Sequence, residues 1–317
     1  MKISIITVCK NSENLIEQTI KSVASQTYSD IEYIIIDGDS QDRTKEIIAR
    51  NSDLIANWIS EPDDGIYAAM NKGIKLASGD FIYFLNSDDY LIDNRVIEDI
   101  VSTIRKNPNC DLIYGNLDAR DLDHKYAYSI IHPVPEELME RMIWGWIYHQ
   151  AVFAHRSLFD RFGYFDEAYR ISADHSWLYK VLESDAKLVY YPRKIASYWL
   201  GGISAIPGKQ AAALTEIFAV QNQVDTYQKM DWIDKRIMKF QSVIIDLNTE
   251  VSHYRELARQ LKSGDSKEQT IFQLQQEVQQ LRDLLSSTQS SKFWKIRMQW
   301  FRLKGLLKKI ILLKQSQ

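Results

Sequence analysis

Acidic side chains stand beside apolar segments at three places in the chain, where they could bind a ligand or take part in catalysis. Asp37 ends one apolar run, and Asp88 and Asp89 follow another. Asp174 lies at the start of a helical pattern. A carboxylate next to buried apolar residues is poorly solvated unless it has a partner. Each place is therefore a candidate functional site, although each also has an ordinary structural explanation.

The first place is Asp37, which closes the run of three isoleucines at 34–36. Its carboxylate could accept a hydrogen bond from a nucleobase N–H or a ribose hydroxyl. Alternatively, Asp37 or Ser40 only caps a helix that is expected to begin near Asp42. The sequence leaves both interpretations open.

The second place is the tetrapeptide Asn86-Ser87-Asp88-Asp89. Adjacent carboxylates repel each other, and a hard divalent cation such as Mg²⁺ or Mn²⁺ would keep both of them ionised. Such a cation could neutralise the charge that develops on a leaving nucleoside diphosphate. The alternative is an Asx turn that precedes the helix near residue 94.

The third place is Asp174, in the segment Ser172-Ala173-Asp174-His175-Ser176-Trp177. A carboxylate in this position, beside an aromatic side chain, could act as a general base. It could equally be an N-cap of the helix that follows.

Short apolar runs alternate with helical patterns over the first 120 residues, which indicates βαβ units. The predicted strands are 3–8, 31–36, 55–59, 81–85 and 112–114, and the predicted helices are 13–25, 42–50, 66–77 and 94–106. This alternation predicts an α/β fold with a mostly parallel sheet flanked by helices. Ligands of such sheets bind at the carboxyl ends of the strands, where Asp37 and Asp88 stand.

The composition is that of a globular protein, with 45% hydrophobic and 26% charged residues among 317. The two cysteines, Cys9 and Cys110, lie far apart, which argues against a disulfide framework or a zinc cluster and fits a reducing compartment. The beginning of the chain lacks the pattern of a signal peptide, and we find no apolar run of about 18 residues, so a soluble protein is expected.

The chain becomes helical after Pro207-Gly208, and three parts are expected: a domain at 1–208, a helical or coiled-coil region at 209–290 and a tail at 291–317. Apolar residues at heptad spacing in 240–261 and again in 271–285 predict a coiled coil. This coil would join two copies of the chain in a homo-oligomer. The alternative is a long helix that packs back on the first domain.

The tail combines aromatic residues with basic ones, since 292–314 contains eight basic side chains and no acidic one. A helix of this kind is expected to lie on an anionic membrane surface, with its apolar face in the headgroup region. The alternative is docking on its own domain or on a partner enzyme. The rest of the chain is acidic and would repel nucleic acid, so no nucleic-acid partner is expected.

These motifs, taken in order, resemble those of the family 2 glycosyltransferases, a family with the GT-A fold that builds bacterial capsule, colanic acid and O-antigen. The resemblance covers residues 1 to about 205. The matching segments are 5–11, 33–44, 62–80, 85–89, 148–153, 163–167, 172–174 and 201–204.

The resemblance implies roles for individual residues. Binding of the nucleotide sugar is expected of Thr7, Val8, Cys9, Asp37, Asp64, Asn71, Asn86, Ser87 and Asp88. Within this set, Thr7 and Asp37 would contact the base and ribose, and Asp88 would ligate Mn²⁺ or Mg²⁺ on the diphosphate. Asp174 would be the catalytic base. Contacts with the acceptor are expected of Asp89, His149, Gln150 and Trp177, although His149 could also be a core histidine.

The chain departs from the family pattern at two positions that bear on the donor. Asn86 replaces the first aspartate of the Asp-x-Asp element, which moves the metal-binding role to Asp88. Cys9 stands where many members have an aromatic residue that stacks on the base. The resemblance therefore leaves the identity of the base open between UDP and dTDP donors.

The implied function is that of an inverting glycosyltransferase that moves a sugar from a UDP- or dTDP-sugar to a lipid-linked saccharide. The enzyme would work in the cytoplasm, peripherally at the inner face of the bacterial cell membrane. Two alternatives remain at this point. One is a sugar nucleotidyltransferase, although the glycine-rich loop of those enzymes is missing after the first predicted strand. The other is an inactive scaffold that recruits partners through its coiled coil.

Overall fold

The computed structural model describes residues 1–144, 147–202, 216–217 and 219–229, together with the single positions 232, 235, 238 and 249. The chain divides into two compact units, Met1–Arg236 and Ile237–Gln317. Apart from position 249, the segments predicted as a coiled coil and the tail at 291–317 lie outside the described residues. The three-part division at 208 and 290 therefore stays a prediction.

Nine strands of the described chain form one sheet. Their bounds are β1 (Ile3–Cys9), β2 (Ile31–Asp37), β3 (Asn57–Ser60), β4 (Phe81–Phe84), β5 (Tyr90–Leu91), β6 (Leu112–Arg120), β7 (Tyr126–Ile130), β8 (Val152–His155) and β9 (Leu188–Trp199). The order is β3-β2-β1-β4-β8-β6-β9-β5, with β7 paired to β6. Strands β3, β2, β1 and β4 are parallel, whereas β8 is antiparallel to both β4 and β6. The predicted α/β fold is confirmed, and its sheet is mixed in the second half.

Helices cover both faces of this sheet. Among the described residues they are α1 (Ile16–Ala24), α2 (Thr44–Arg50), α3 (Ile66–Leu76), α4 (Val96–Lys106), α5 (Leu138–Trp144), α6 (Ser157–Phe162) and α7 (Ala173–Leu182). In the same part of the chain, we find no helix with the length and apolar character needed to cross a membrane.

The central strands are buried on both faces because their side chains point alternately to two cores. Ile5 of β1 belongs to the core that contains Ile20 of α1. The next residue, Ile6, belongs to the opposite core, with Met70 of α3. Helix α3 approaches β1 closely at Gly73, where a Cβ atom would lie only 2.4 Å from Cγ2 of Ile6. A glycine is therefore required at this contact.

The described part of the C-terminal segment packs into the first unit. Val220, Val224 and Tyr227 are buried in the same core as α5 and α7. The hydroxyl of Tyr227 donates a hydrogen bond to the carbonyl of Met139 (2.6 Å), and its ring contacts that of Tyr179 (5.3 Å between centroids). Residues 216–217 and 219–229 thus belong to the same unit as the sheet.

The register of the parallel strands aligns their carboxyl ends at one edge of the sheet. Cys9 of β1 pairs with Asp37 of β2, and Asp37 pairs with Ser60 of β3. Strand β4 ends beside them, and the loop Asn86–Asp89 leaves the sheet at this edge. The loops after β1 and β4 therefore meet where a ligand of an α/β sheet is expected.

Candidate active site

A cleft with a volume of about 660 Å³ opens at the carboxyl ends of the strands. Its walls bring together the loops after β1 and β4, the turn before β8, the start of α7 and the end of β9. Its lining includes Val8, Cys9, Lys10, Asp63, Asn86, Ser87, Asp88, His149, Gln150, Arg170, Asp174, Trp199 and Gly202. A more open depression of about 820 Å³ lies at the opposite ends of the strands and contains none of the predicted site residues. The first cleft is therefore the candidate active site.

The loop that carries Asp88 is held through its backbone. Thr19 of α1 donates hydrogen bonds to the carbonyls of Ser87 (3.0 Å) and Asp89 (2.7 Å). Nη2 of Arg120 donates to the carbonyl of Asp88 (2.6 Å). These bonds fix the loop and leave the carboxylate of Asp88 on the wall of the cleft.

The electrostatic environment of Asp88 combines burial with positive neighbours. Burial raises the pKa of Asp88, and the hydrogen bond from its own backbone amide and the charges of Arg120 and His149 oppose that rise only in part. A cation in the cleft would stabilise the ionised form.

The oxygen donors at this place suit a hard divalent cation. They are the carboxylate of Asp88 and the side-chain amide of Asn86, both of which line the cleft. Over the described residues, we find no group of three or more His, Cys, Asp or Glu side chains arranged to hold a metal. A cation here would therefore take most of its ligands from phosphate oxygens and water, as Mg²⁺ commonly does in sites that bind nucleotides.

Arg120, at the end of β6, is a positioning residue that the sequence did not reveal. Its side chain is almost completely buried, and Nε donates to Oγ of Ser197 (2.8 Å) on β9. The guanidinium lies over the ring of Tyr90 (4.5 Å to the centroid) and 3.2 Å from Nδ1 of His124. It thus joins β5, β6, β9 and the Asp88 loop. A lone arginine at a strand end matches no motif, so only the structure could identify it.

Asp89 occupies a position different from that of Asp88. It is 1% exposed, and its carboxylate accepts hydrogen bonds from Nε2 of Gln150 (2.9 Å) and from the backbone amide of Trp199 (2.8 Å). Burial and the neighbouring charge of Asp88 raise the pKa of Asp89 well above its usual value. One oxygen thus connects the loop to Trp199 of β9 and the other to Gln150 before β8, and the contact of Asp89 with the acceptor stays a prediction. Gln150 lines the cleft but uses its amide nitrogen on Asp89.

Asp174 is the second residue of α7 and lies on the acceptor-side wall of the cleft. Its Oδ1 accepts a hydrogen bond from the hydroxyl of Tyr67 (2.8 Å) and lies 3.2 Å from Nδ1 of His175. Its Oδ2 lies 3.2 Å from Nδ1 of His149. The N-cap position of α7 belongs to Ser172, so these side-chain contacts, rather than capping, define the environment of Asp174.

These contacts determine the charge of Asp174. Burial would raise its pKa, but the positive charge of His175 and the hydrogen bonds from His149 and His175 outweigh burial and hold the pKa well below the usual value. The carboxylate is consequently ionised at neutral pH, as a proton acceptor must be.

His149 connects the two carboxylate regions of the cleft. While its Nδ1 faces Asp174, its Nε2 lies 3.4 Å from Oδ1 of Asn86, beside the Asp88 loop. Its side chain is 20% exposed and lines the cleft. The structure thus places His149 at the site, and not among the core histidines.

Asp37 lies beneath the donor-side wall. It is fully buried, and its carboxylate accepts hydrogen bonds from the hydroxyls of Ser40 and Ser60 (2.6 Å for Ser60) and from the amide of Ser40 (3.0 Å). Arg43 occupies the N-cap position of α2, and Oδ1 of the preceding residue, Asp42, accepts a hydrogen bond from the amide of Thr44 (2.9 Å). Asp37 therefore does not cap α2.

Cys9 separates Asp37 from the cleft. Its Sγ lies 3.6 Å from Oδ1 of Asp37, and Cys9 itself lines the cleft together with Val8. Burial, followed by the charge of Asp37, raises the pKa of the Cys9 thiol, so it stays protonated and can donate to the carboxylate. A nucleobase bound at this wall would contact Val8 and Cys9 directly, and Asp37 would lie behind Cys9.

Four other predicted site residues do not line the cleft. Thr7 is buried, and its hydroxyl shares a hydrogen bond with that of Tyr33 (3.1 Å). Asp64 is exposed, and its neighbour Asp63 lines the cleft although the sequence did not single it out. The direct ligand contacts of Thr7 and Asp64 stay predictions.

The remaining two, Asn71 and Trp177, are structural. Asn71 is buried and exchanges hydrogen bonds with the backbone of Phe165 (2.9 and 3.0 Å). Trp177 stacks on Phe159 (4.5 Å between centroids) and donates to the carbonyl of Gly163 (2.9 Å). Both residues pack against the segment before α7 and do not line the cleft, and their contacts with donor and acceptor stay predictions. Ile203 and Ser204, from the last matching segment, lie outside the described residues.

The mixed sheet and its flanking helices form a fold of the GT-A type. The model of the family "Glycosyl transferase family 2" matches residues 4–163, half of the chain. The chain therefore belongs to the family 2 glycosyltransferases and is a glycosyltransferase. The nucleotidyltransferase and the inactive scaffold are accordingly set aside.

Three proteins are similar to this chain in sequence or in fold. It is 28% identical over 210 residues to a PGL/p-HBAD biosynthesis glycosyltransferase of Mycobacterium bovis. This alignment covers 63% of this chain and 78% of the relative. It is 39% identical over 117 residues to the UDP-Glc:alpha-D-GlcNAc-diphosphoundecaprenol beta-1,3-glucosyltransferase WfgD of Escherichia coli, covering 37% of this chain and 46% of the relative. Among solved structures, the mannosyltransferase PcManGT of Pyrobaculum calidifontis, in complex with GDP-Man and Mn²⁺, has a TM-score of 0.57 at 14% identity, with 92% of this chain and 88% of that chain covered. This last likeness shows the fold alone.

Proposed function

We propose that the protein is an inverting glycosyltransferase that moves a sugar from a UDP- or dTDP-sugar to a lipid-linked saccharide in the synthesis of a surface polysaccharide. The observation that carries the proposal is the sharing of one cleft by Asp88 and Asp174. His149 lies between them, with Nδ1 3.2 Å from Oδ2 of Asp174 and Nε2 3.4 Å from Oδ1 of Asn86. A donor diphosphate and an acceptor hydroxyl would therefore meet within one cavity.

In the proposed reaction, Asp174 takes the proton from the acceptor hydroxyl. The acceptor oxygen forms a bond to the anomeric carbon while the bond from that carbon to the diphosphate oxygen breaks, and the electron pair leaves with the nucleoside diphosphate. An α-linked donor then gives a β-linked product in one displacement. The low pKa of Asp174 keeps its carboxylate ionised before the reaction, so that it can accept a proton.

Asp88 is the residue that would hold Mn²⁺ or Mg²⁺, with Asn86 beside it. When bound, the cation would neutralise the charge that develops on the departing diphosphate. The Thr19 and Arg120 hydrogen bonds would keep the Asp88 loop in place throughout. Support for the choice of metal comes from the oxygen donors of the cleft and from the Mn²⁺ complex of the similar mannosyltransferase.

The donor and acceptor are proposed from the relatives and from the cleft. WfgD is named for a UDP-glucose donor and a diphosphoundecaprenol acceptor, and a lipid-linked acceptor would bring this chain to a membrane. The basic, aromatic tail at 291–317 would contact the anionic inner face of the bacterial cell membrane, and the heptad segments would join two copies of the chain. The enzyme would thus be cytoplasmic and peripheral.

Thermal unfolding with nucleotides tests the donor half of the proposal. UDP should raise the melting temperature in the presence of Mn²⁺, and UMP should not, because only UDP offers a diphosphate to the cation. Equal protection by UMP, or protection by UDP that does not depend on Mn²⁺, would contradict the diphosphate–metal arrangement. A panel of nucleotide sugars, tested for hydrolysis without acceptor, would then identify the sugar and the base.

A further inference from the structure

Glu216 carries an unusual set of hydrogen bonds. Its Oε1 accepts from the backbone amide of Arg170 (2.8 Å), and its Oε2 accepts from the amides of Ile171 (2.9 Å) and Ser172 (2.9 Å). One carboxylate thus binds three consecutive N–H groups, which lie directly before α7. Hydrogen bonds to an ionised acceptor are about twice as strong as neutral ones, so this arrangement holds the turn firmly.

The turn that Glu216 binds is part of the candidate active site. Arg170, Ile171 and Ser172 line the cleft, and Asp174 follows two residues later. The carboxylate also lies at the N-terminal end of α7, where the helix dipole favours a negative charge. Glu216 therefore contacts the segment that presents the proposed base, without lining the cleft itself.

Tyr67 of α3 holds the same turn from another direction. Its hydroxyl lies 2.7 Å from the carbonyl of Ile171 and 2.8 Å from Oδ1 of Asp174. Glu216 binds the N–H groups of the turn, while Tyr67 binds its carbonyl and the carboxylate. Two separate segments, one before and one after α7 in the chain, thus fix where Asp174 stands.

We propose that Glu216 is a positioning residue for Asp174. This inference rests on the proposed role of Asp174 as the base. The family match ends at residue 163, and Glu216 lies more than 50 residues beyond it. The transfer reaction would then depend on a part of the chain that the family pattern does not include.

The test compares Glu216→Gln and Glu216→Ala in the full-length protein. Loss of the three charged bonds frees the turn, and a displacement of the base by about 1 Å can cost on the order of 100-fold in rate. We expect kcat to fall by about 10- to 100-fold in Glu216→Ala and less in Glu216→Gln, whose amide oxygen still accepts. The affinity for Mn²⁺ and UDP should stay within about twofold, since Glu216 does not contact the donor wall.

Hydrogen exchange provides a readout that a general loss of stability would not reproduce. The amides of Arg170, Ile171 and Ser172 should exchange faster in both variants, while amides in the central strands keep their protection. The matched control is Gln223→Ala, which removes a hydrogen bond from the same segment to the hydroxyl of Tyr169 (3.2 Å) without touching these amides. Its kcat and its exchange at 170–172 should equal those of the wild type.

The outcomes separate this inference from the proposed function. If Asp174→Asn abolishes transfer but both Glu216 variants keep the wild-type kcat, the positioning role is wrong and the base assignment stands. If Asp174→Asn is as active as the wild type, the proposed function itself fails. Should Glu216→Ala not fold, Glu216→Gln decides: unchanged exchange at the three amides together with an unchanged kcat would overturn the inference.

Discussion

Replacement of Arg120 by glutamine tests how the Asp88 loop is held. The variant loses the charged hydrogen bond from Nη2 to the carbonyl of Asp88 (2.6 Å) and the bond from Nε to Ser197 (2.8 Å). A hydrogen bond from a charged group contributes about 1.5–3 kcal/mol to the free energy of unfolding. The buried side chain of Asp89 also loses the nearby positive charge of Arg120. Two hydrogen bonds from the charged guanidinium are lost, so the expected loss of unfolding free energy is about 3–6 kcal/mol.

Chemical denaturation measures that loss, and the matched control is Arg95→Gln. The Arg95 side chain is 62% exposed and pairs with Glu98 and Asp99 on the surface of α4, so its loss should cost less than about 1 kcal/mol. A second readout is Mn²⁺ binding in the presence of UDP. The affinity for Mn²⁺ should fall by about 10- to 100-fold, because Arg120 holds the loop that carries the proposed metal ligand Asp88. An Arg120→Gln variant as stable as Arg95→Gln, with unchanged Mn²⁺ binding, would refute the reasoning.

Three further predictions follow from the same site and from the tail. Asp88→Asn should remove the Mn²⁺-dependent part of the thermal protection by UDP, because a neutral amide is a weaker ligand; full protection in calorimetry would exclude Asp88 as the metal ligand. The low folded-state pKa of Asp174 implies that its ionised form stabilises the protein above the unfolded pKa of about 3.9 and that this contribution is lost as the pH falls towards the folded pKa. The difference in unfolding free energy between wild type and Asp174→Asn should therefore shrink as the pH falls below about 4; a difference that stays the same between about pH 5 and pH 3 would contradict this environment. Deletion of residues 292–317 should abolish co-sedimentation with anionic vesicles while preserving UDP binding, and unchanged sedimentation would refute the membrane contact.

The sequence predicted the first half of the fold well because its central strands, β1, β2 and β4, are largely buried. The run at Ile34–Ile36 has no polar alternation, which is typical of a parallel strand covered by helices, and β2 spans Ile31–Asp37. Strand β9 was not predicted, because it mixes Pro192 and the charged residues Arg193 and Lys194 with apolar ones. Its position depends on pairing with β6, a distant part of the chain, which periodicity cannot reveal.

The sequence also predicted which loops form the site but not which side chains face the cleft. Asp88 and Asp174 line it, whereas Thr7 and Asn71 belong to matching motifs yet are buried in hydrogen bonds with Tyr33 and Phe165. A residue can belong to a motif because packing requires it or because ligand binding requires it. The sequence alone does not distinguish these two reasons.

Arg120 and Glu216 are residues whose contacts near the site could not be predicted from the sequence. Each acts through contacts with segments far away in the chain: Arg120 with the Asp88 loop and β9, and Glu216 with the turn before α7. Neither has a neighbouring pattern that distinguishes it from a solvated surface residue. Only the three-dimensional arrangement shows that Arg120 contacts the Asp88 loop and that Glu216 contacts the turn before Asp174.

The central claim is that Asp174 receives the proton of the acceptor hydroxyl, and the most direct test is sugar transfer by Asp174→Asn together with donor binding by the same variant. The amide keeps the shape of the side chain and its contact with Tyr67 but cannot accept the proton. Transfer should fall by a factor on the order of 10² to 10⁴, with binding of the nucleotide sugar and Mn²⁺ unchanged. A transfer rate equal to that of the wild type would contradict the claim.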